Sequence, residues 1–453
     1  MRYSVIRLCD YKELLFHAAV SFSDQVLFQT DDETLTFSEF VDLVYRVAGG
    51  MMNYPKGIVI CRFSQQKLFA IGYFAVILTG HTACLLPTGH AVPGSLQGFP
   101  VVEDGDIENW LSREPLDPAM LTPPLPEEPC TIAFSSGTSS ASKGVVLSQK
   151  NLLTDTQYGM MRHRYWSGER LVHILPYWHL FGLVTELLAP LHAGVSVFLP
   201  KSPLHFFQAL RIFHPHSLHI PPALADALCA AIASANDPGD VTGGSLEKLM
   251  CAGAALSEQT AKTLLKFHIL PCTAYGLTEC SPCISMTAET DIRLGTSGPP
   301  LDCVSVKIAE DGEILVQGPT VMLEYFEDIP ATQARIHGGY LHTGDIGKID
   351  EAGHLCILGR KTSMLVFPNG KKCMPESIES IVNGIEGVTE SLLSYSTSEA
   401  SSIPVLTVVT DLPSQQLARR LDPVMREADI YPYQLITQQK PIPRNSMGKV
   451  IRK

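Results

Sequence analysis

A chain of 453 residues is too long for one ordinary core, so a large domain and at least one smaller one are expected. Hydrophobic residues make up 45% and charged residues 18%, a globular composition with ample core. The net charge of −12 argues against non-specific nucleic-acid binding, while local loops and helix ends still allow a small anionic substrate.

From the N-terminus, residues 1–7 lack a signal-peptide apolar region and cleavage site. Residues 35–40 read as a short strand entering a helix, with Ser38 as N-cap, apolar residues at Phe40, Leu43, Val44 and Val47, and a stop at Gly49-Gly50. Strands are expected at 57–61 and 83–86. The helix between them, 67–78, is mostly apolar and closed by Gly80. Its run of about 11 residues is too short to span a bilayer. Strands alternating with helices indicate an α/β fold with a largely parallel sheet. No internal repeat or long low-complexity segment interrupts the pattern.

A proline-rich surface connection, 121–129, leads to the most informative stretch. Ile132, Ala133 and Phe134 end a buried strand. A hydroxyl-rich loop follows (Ser135, Ser136, Gly137, Thr138, Ser139, Ser140, Ala141, Ser142), then Lys143-Gly144, and Val145 resumes the strand pattern. Small side chains let backbone N–H groups approach phosphate oxygens, hydroxyls add donors, and lysine adds charge. A Walker A loop is excluded, because Ser142 and Gly144 flank Lys143 where that motif needs Gly and Ser or Thr. A nucleophile elbow is excluded because Ala141 stands where its second glycine belongs.

Beyond the loop, Ser148 precedes a helix at 151–162. Residues 173–182 read as an apolar strand turning at Pro176 and ending in aromatics (Tyr177, Trp178, Phe181) around His179. A lone histidine among aromatics is usually a packed core residue. His214, His216 and His219 have a spacing that suits no single metal face. The strand at 249–252 breaks into Gly253, Ala254 and Ala255, which would let a flat ring lie against the backbone. Ala274-Tyr275-Gly276-Leu277-Thr278-Glu279 places an aromatic, a hydroxyl and a carboxylate together, suited to stacking a base, bonding a phosphate and holding Mg2+. Cys280 and Cys283 form a C-x-x-C with no second pair at zinc-ribbon spacing, so packing is the expected role. The twelve scattered cysteines fit a reducing cytosol.

The segments 312–316 and 340–357 read as β-rich, with Thr343-Gly344-Asp345 placing a carboxylate at a tight turn. Gly359-Arg360 looks like a domain boundary. A small α+β domain is expected beyond it: strand 364–367, turn 368–370, helix from Pro375, strands 391–396 and 405–409, helix 415–427, and a basic tail carrying Lys449.

In this order the motifs resemble the adenylate-forming superfamily of acyl-CoA synthetases, peptide-synthetase adenylation domains and luciferases. The resemblance runs from about residue 35 to the C-terminus and is nearest the acyl-CoA synthetase branch. It implies a large N-terminal domain of stacked sheets and helices (1–359) and a small, mobile C-terminal domain (360–453). It implies a carboxylate attacking the α-phosphate of ATP to give acyl-AMP and pyrophosphate, then transfer to the thiol of coenzyme A or of a carrier's phosphopantetheine arm.

By motif, residues 135–144 would hold the β- and γ-phosphates, chiefly through Thr138 and Lys143. Gly253, Ala254 and Ala255 would line the adenine and Tyr275, beside Gly276, would stack on it. Thr278 would reach the α-phosphate and Glu279 would hold Mg2+. Asp345 with Arg360 would bond the ribose, His179 would stand near the acyl pocket, and Lys449 would be the catalytic lysine. Ser140, Ser142 and Thr362 depart from the family pattern, and the connection between Pro87 and Pro129 is abbreviated. An apolar acid, fatty or aryl, is the expected substrate, with a cytoplasmic setting and no membrane span. A stand-alone carrier-protein loader and a non-catalytic nucleotide-binding protein are the alternatives.

Overall fold

The computed structural model describes residues 5–134, 143–366, 372–395, 403–428 and 430–443. It forms two compact units: residues 1–305 with 316–341, and residues 306–315 with 342–453.

The first unit is built on two sheets, as the alternation of strands and helices requires. One has eight strands in the order Cys283–Met286, Leu270–Gly276, Lys248–Cys251, Ser217–Ile220, Arg170–Val172, Ser196–Phe198, Val26–Gln29, Thr34–Thr36. Its inner strands run parallel, and the two edge strands are antiparallel. The other has six, ordered Glu324–Tyr325, Gly144–Ser148, Pro129–Phe134, Thr82–Leu85, Ile58–Arg62, Val101–Glu103.

Helix Gln66–Leu78 is buried without a break from Leu68 to Leu78. A helix apolar all round has no face to give to water, so it must lie inside. Its Tyr73 hydroxyl shares a 2.9 Å hydrogen bond with Thr131 on Pro129–Phe134 and another of 2.9 Å with Tyr11. Its Phe69 ring lies 6.0 Å from that of Tyr177.

Four local expectations are corrected. Thr36, not Ser38, caps helix Phe37–Met51, in a capping box with Glu39. That helix runs through Gly49-Gly50. A Cβ on Gly50 would sit 2.4 Å from the Trp110 ring, so this glycine serves packing and does not stop the helix. The strand expected at 173–182 is instead Arg170–Val172, and an irregular segment carries Pro176 to His179. Thr343-Gly344-Asp345 lies inside the long strand Tyr340–Ile349, where Gly344 at φ +69 bends the strand without reversing it.

In the second unit, Tyr340–Ile349 pairs antiparallel with Leu355–Arg360 from Asp345↔Arg360 to Ile349↔Leu355. Helices Pro375–Asn383 and Ser414–Glu427 pack through Ile378, Val382, Leu417 and Leu421 onto Leu393, Leu406 and Val408 of a three-stranded sheet. Its third strand, Gln434–Gln438, pairs parallel with Pro404–Thr410 and went unread in the sequence. Among the described residues, no helix is long and apolar enough to cross a membrane.

Candidate functional site

The hairpin Pro129–Phe134/Gly144–Ser148 presents the phosphate-type loop. Its residues 135–142, with Ser135, Ser136, Gly137, Thr138 and Ser139, lie outside the described residues, as does Lys449. Lys143 is described at the loop's end. Its Nζ is 3.4 Å from Asp328 Oδ2 and 4.9 Å from the centre of the Tyr325 ring. Strand pairing brings them together: Glu324–Tyr325 adds antiparallel to Gly144–Ser148, and the Phe326 N–H donates to the Gly144 carbonyl at 2.7 Å.

Glu279 approaches the same point from the first sheet, in the short 3₁₀ turn Thr278–Cys280 after strand Leu270–Gly276. It is 7% exposed, and its Oε1 accepts the Tyr325 hydroxyl at 2.7 Å, with Arg335 Nη2 at 3.6 Å. Burial, then the Glu279 charge, push the Tyr325 phenol well above its ordinary value, so the hydroxyl remains a donor at neutral pH. The Tyr325 hydroxyl takes Oε1 and leaves Oε2 for a cation. Mg2+ characteristically uses one or two carboxylates plus substrate phosphates, so this donor set fits that ion arriving with a nucleotide. Among the described residues no three His, Cys, Asp or Glu gather as a ready-made metal cage.

Gly253, Ala254 and Ala255 are exposed after strand Lys248–Cys251, and Tyr275 and Gly276 end the neighbouring strand, where Cys251 pairs with Thr273. Both segments therefore leave the carboxyl edge of one parallel sheet, the edge at which such sheets bind ligands. Gly253 sits at φ +83 with open space where a side chain would go. Gly276 is required by close approach: a Cβ there would lie 1.8 Å from the Pro282 carbonyl oxygen. Tyr275 and Thr278 are half-buried.

His179 lies beyond strand Arg170–Val172, on the same carboxyl edge. Its Nδ1 accepts the Phe181 N–H at 3.3 Å, capping the short helix Leu180–Leu183. Phe181 packs with Met250, Cys272 and Met286, beside the partly buried Ala252 and Ala274. This segment is held from within by Glu186, which is fully buried in the π-helical turn Val184–Leu188. Its Oε2 accepts the N–H groups of Ile174 and Leu175, each at 3.1 Å, and lies 2.7 Å from His173 Nδ1. The Tyr177 hydroxyl donates to the Glu186 carbonyl at 3.1 Å. Burial raises the Glu186 carboxyl above its ordinary value, with His173 and the two N–H groups opposing. A Cβ on Gly182 would fall 2.4 Å from the Leu175 carbonyl oxygen, so glycine lets the helix close onto this loop.

In the second unit, Asp345 is 3% exposed and its Oδ1 takes Arg360 Nε at 2.8 Å. Neighbouring Glu313 accepts the Gly344 N–H at 2.8 Å and Lys361 Nζ at 2.8 Å. Burial would raise its carboxyl, but Lys361, the Gly344 N–H and His342 together hold it below the ordinary value. Thr362 lies in the 3₁₀ turn Lys361–Ser363.

Cys280 and Cys283 are buried, and burial pushes both thiols up, as fits packing residues. His214, His216 and His219 take separate partners: the Gly243 carbonyl, the Arg170 N–H and the Tyr165 hydroxyl. Tyr325, Asp328, Arg335, His173 and Glu186 were missed in the sequence. One signal for Glu186 was present, a lone carboxylate in the apolar run 180–191, where burial demands a partner.

A family model described as AMP-binding enzyme matches residues 90–326, more than half of the chain. A probable 4-coumarate–CoA ligase of Dictyostelium discoideum is 31% identical over 277 residues, covering 57% of this chain and 49% of that one. A CoA ligase of Mycobacterium tuberculosis is also 31% identical, and the match covers 58% of this chain and 53% of its own length. The chain thus spans about half the length of these two relatives. A long-chain-fatty-acid–CoA ligase of Escherichia coli O157:H7 is 27% identical over 420 residues, covering 87% and 72%. Among solved structures, ATP-bound MatB from Rhodopseudomonas palustris superposes with a TM-score of 0.85 at 22% identity, covering 97% of each chain. The α/β fold is therefore that of adenylate-forming enzymes, and the chain belongs to the AMP-binding enzyme family.

Proposed function

We propose that the chain is an AMP-forming acid–thiol ligase that activates an apolar carboxylic acid, fatty or aryl, with ATP. The acyl group then passes to coenzyme A or to a carrier's phosphopantetheine thiol. The observation that carries this reading is the junction of two surfaces in one unit. A charged cluster, Lys143, Tyr325 and Glu279, stands at the base of the loop. The apolar wall of Phe181 stands on the same sheet edge as Tyr275. Relatives named as coumarate and long-chain-fatty-acid CoA ligases support the substrate class.

Bringing a carboxylate to a phosphate joins two anions, so the rate depends on cations and donors placed where charge develops. Mg2+, when bound, supplies charge neutralisation at the phosphates. Glu279 is the residue that holds it, oriented by Tyr325. Lys143 and the loop hydroxyls bind the polyphosphate, and Thr278 bonds the α-phosphate. Tyr275 and residues 253–255 bind the adenine. The family's motifs assign the ribose to Asp345 with Arg360, and the charge at the reacting oxygens to Lys449, in a C-terminal domain from residue 360. His179 and Phe181 orient the acid and exclude water.

The test is ATP–pyrophosphate exchange with Mg2+ across carboxylic acids from short fatty to aryl. Exchange that depends on one apolar class is expected, after which coenzyme A and carrier proteins are offered as acceptors. ATP binding without exchange for any acid would replace this reading with a non-catalytic nucleotide-binding one.

A further inference from the structure

We propose that Glu313 is a positioning residue for the Asp345–Arg360 pair and, through it, for the nucleoside of ATP. The assignment rests on the reading of that pair as the ribose ligand and adds to it the side chain that sets its geometry.

Glu313 opens the strand Glu313–Gln317, the neighbour of Tyr340–Ile349 in its sheet. Asp345 lies on Tyr340–Ile349 and Arg360 ends Leu355–Arg360, where the two residues stand opposite each other in register. Glu313 reaches the residue next to each of them. Its Oε1 accepts the Gly344 N–H at 2.8 Å, one residue before Asp345. Its Oε2 accepts Lys361 Nζ at 2.8 Å, one residue after Arg360, and lies 3.5 Å from His342 Nδ1. One carboxylate thus spans both arms of the pair, and every residue involved belongs to the second unit.

The backbone before Asp345 needs such a hold. Gly344 stands at φ +69 inside a strand, and its N–H goes to a side-chain carboxylate where a ladder partner would ordinarily stand. Thr343 fixes the bend a second time: its hydroxyl accepts the Asp345 N–H at 3.1 Å and donates to the Ile314 carbonyl at 2.8 Å. Glu313 and Ile314, consecutive on one strand, therefore hold the two residues that precede Asp345. A ligand-binding group has to be held to within about 0.5 Å of its productive place, and the bend at Gly344 decides where the Asp345 carboxylate points.

Burial separates the carboxylates from their cations. The Glu313 and Asp345 side chains are 8% and 4% exposed, whereas Lys361 and Arg360 are each 44% exposed. Lys361 also meets Asp311 Oδ2 at 2.6 Å. Without Glu313 the lysine keeps that second partner, while the Gly344 N–H loses its acceptor. The consequence therefore falls on the arm that carries Asp345.

The test is calorimetric binding of three Mg2+ complexes to the full chain: ATP, its dideoxy analogue, which lacks both ribose hydroxyls, and pyrophosphate. Wild type is compared with Glu313→Ala, Glu313→Gln and Asp345→Ala. Glu313→Ala is expected to weaken ATP about tenfold, with the dideoxy analogue and pyrophosphate changed less than about twofold. Glu313→Gln, which keeps an acceptor for the Gly344 N–H, is expected to fall between. In the Asp345→Ala background Glu313→Ala should cause no further loss, because the two act through one contact. Equal weakening of ATP and the dideoxy analogue overturns the proposal, since a general loosening of the unit does not follow the ribose hydroxyls. Unchanged ATP binding in Glu313→Ala, where Asp345→Ala weakens it, overturns the role of Glu313 and leaves the ribose reading standing. If Asp345→Ala binds ATP as wild type does, both fall together. Glu313→Asp, which draws the carboxylate back from Gly344, decides by the same comparison if the alanine variant does not fold.

Discussion

The proposed nucleotide side and the proposed acid side of the site are secured by opposite means. Around Lys143, Tyr325 and Glu279, the ion pairs have long contacts and their cations remain partly exposed. The exposed Lys143–Asp328 pair is of the kind that contributes little to stability. Around His179 and Phe181, the anchor is Glu186, wholly out of water and bonded to two backbone N–H groups and His173. Removing Glu186 would leave buried N–H donors without an acceptor, so this arrangement resists change. On the proposed reading, the surface that receives a charged ligand carries exposed charges, while the surface that meets the acid is fixed by buried hydrogen bonds.

Variants on the two sides should therefore fail differently. The largest effect is expected from Glu186→Leu, which strands His173 and the N–H groups of Ile174 and Leu175. A loss of about 2 to 5 kcal/mol in the stability of the first unit is expected, at about 1 to 3 kcal/mol for each stranded buried donor. Glu186→Gln, which keeps an acceptor, should lose less and raise the KM for acid while leaving that for ATP. Denaturant melts and acid-dependent exchange measure both; a Leu variant as stable as wild type would break the comparison.

Glu279→Gln should do the reverse, lowering the exchange rate about 10²- to 10³-fold with little change in the melting midpoint. Rates at saturating ATP and a thermal melt read this directly. Tyr325→Phe removes only the hydroxyl on Glu279 Oε1. A hydrogen bond to a charged group contributes about 1.5 to 3 kcal/mol, so about 10- to 100-fold weaker Mg2+-dependent ATP binding is expected. Titrating Mg2+ at fixed ATP shows whether that loss lies in the metal requirement.

The last effect is confined to acid and vanishes at neutral pH. Burial, then the charge of Lys248, depress the His219 imidazole to about 3 from an ordinary value of 6.5. Between those values the unfolded chain binds a proton that the folded chain refuses, so stability falls as the pH falls from 6.5 toward 3. Each such proton changes the slope by about 1.4 kcal/mol per pH unit. His219→Phe should flatten the acid limb by that amount in melts from pH 6.5 downward, and an unchanged slope would place the titration elsewhere.

The contrast between the two sides also explains what could be read from the sequence. Lys143, Glu279, Tyr275 and the glycines at 253 and 276 sit in short runs whose composition is dictated by backbone approach and charge, and such runs are visible locally. Tyr325 reaches Glu279 through a strand pairing that joins residues far apart in the chain, and no periodicity records it. The helices Phe37–Met51, Gln66–Leu78 and Gln149–His163 were read close to their places, while Tyr11–Ser21, Phe206–Phe213 and Pro222–Ser234 went unread. Local structure was misread where a polar residue had two local options, as with Thr36 and Ser38, or where glycine bends a strand, as at Gly344.

The all-apolar helix Gln66–Leu78 has a consequence for biogenesis. The groups that cover it include Thr131 and Tyr177, which leave the ribosome long after the helix does. Through that interval the part of its circumference that those later groups cover is open to other nascent chains and to chaperones. The yield of active protein should therefore depend on elongation rate and growth temperature more steeply than the stability of the finished molecule suggests. Slower synthesis should lengthen that exposure, and chaperone co-expression should restore the yield.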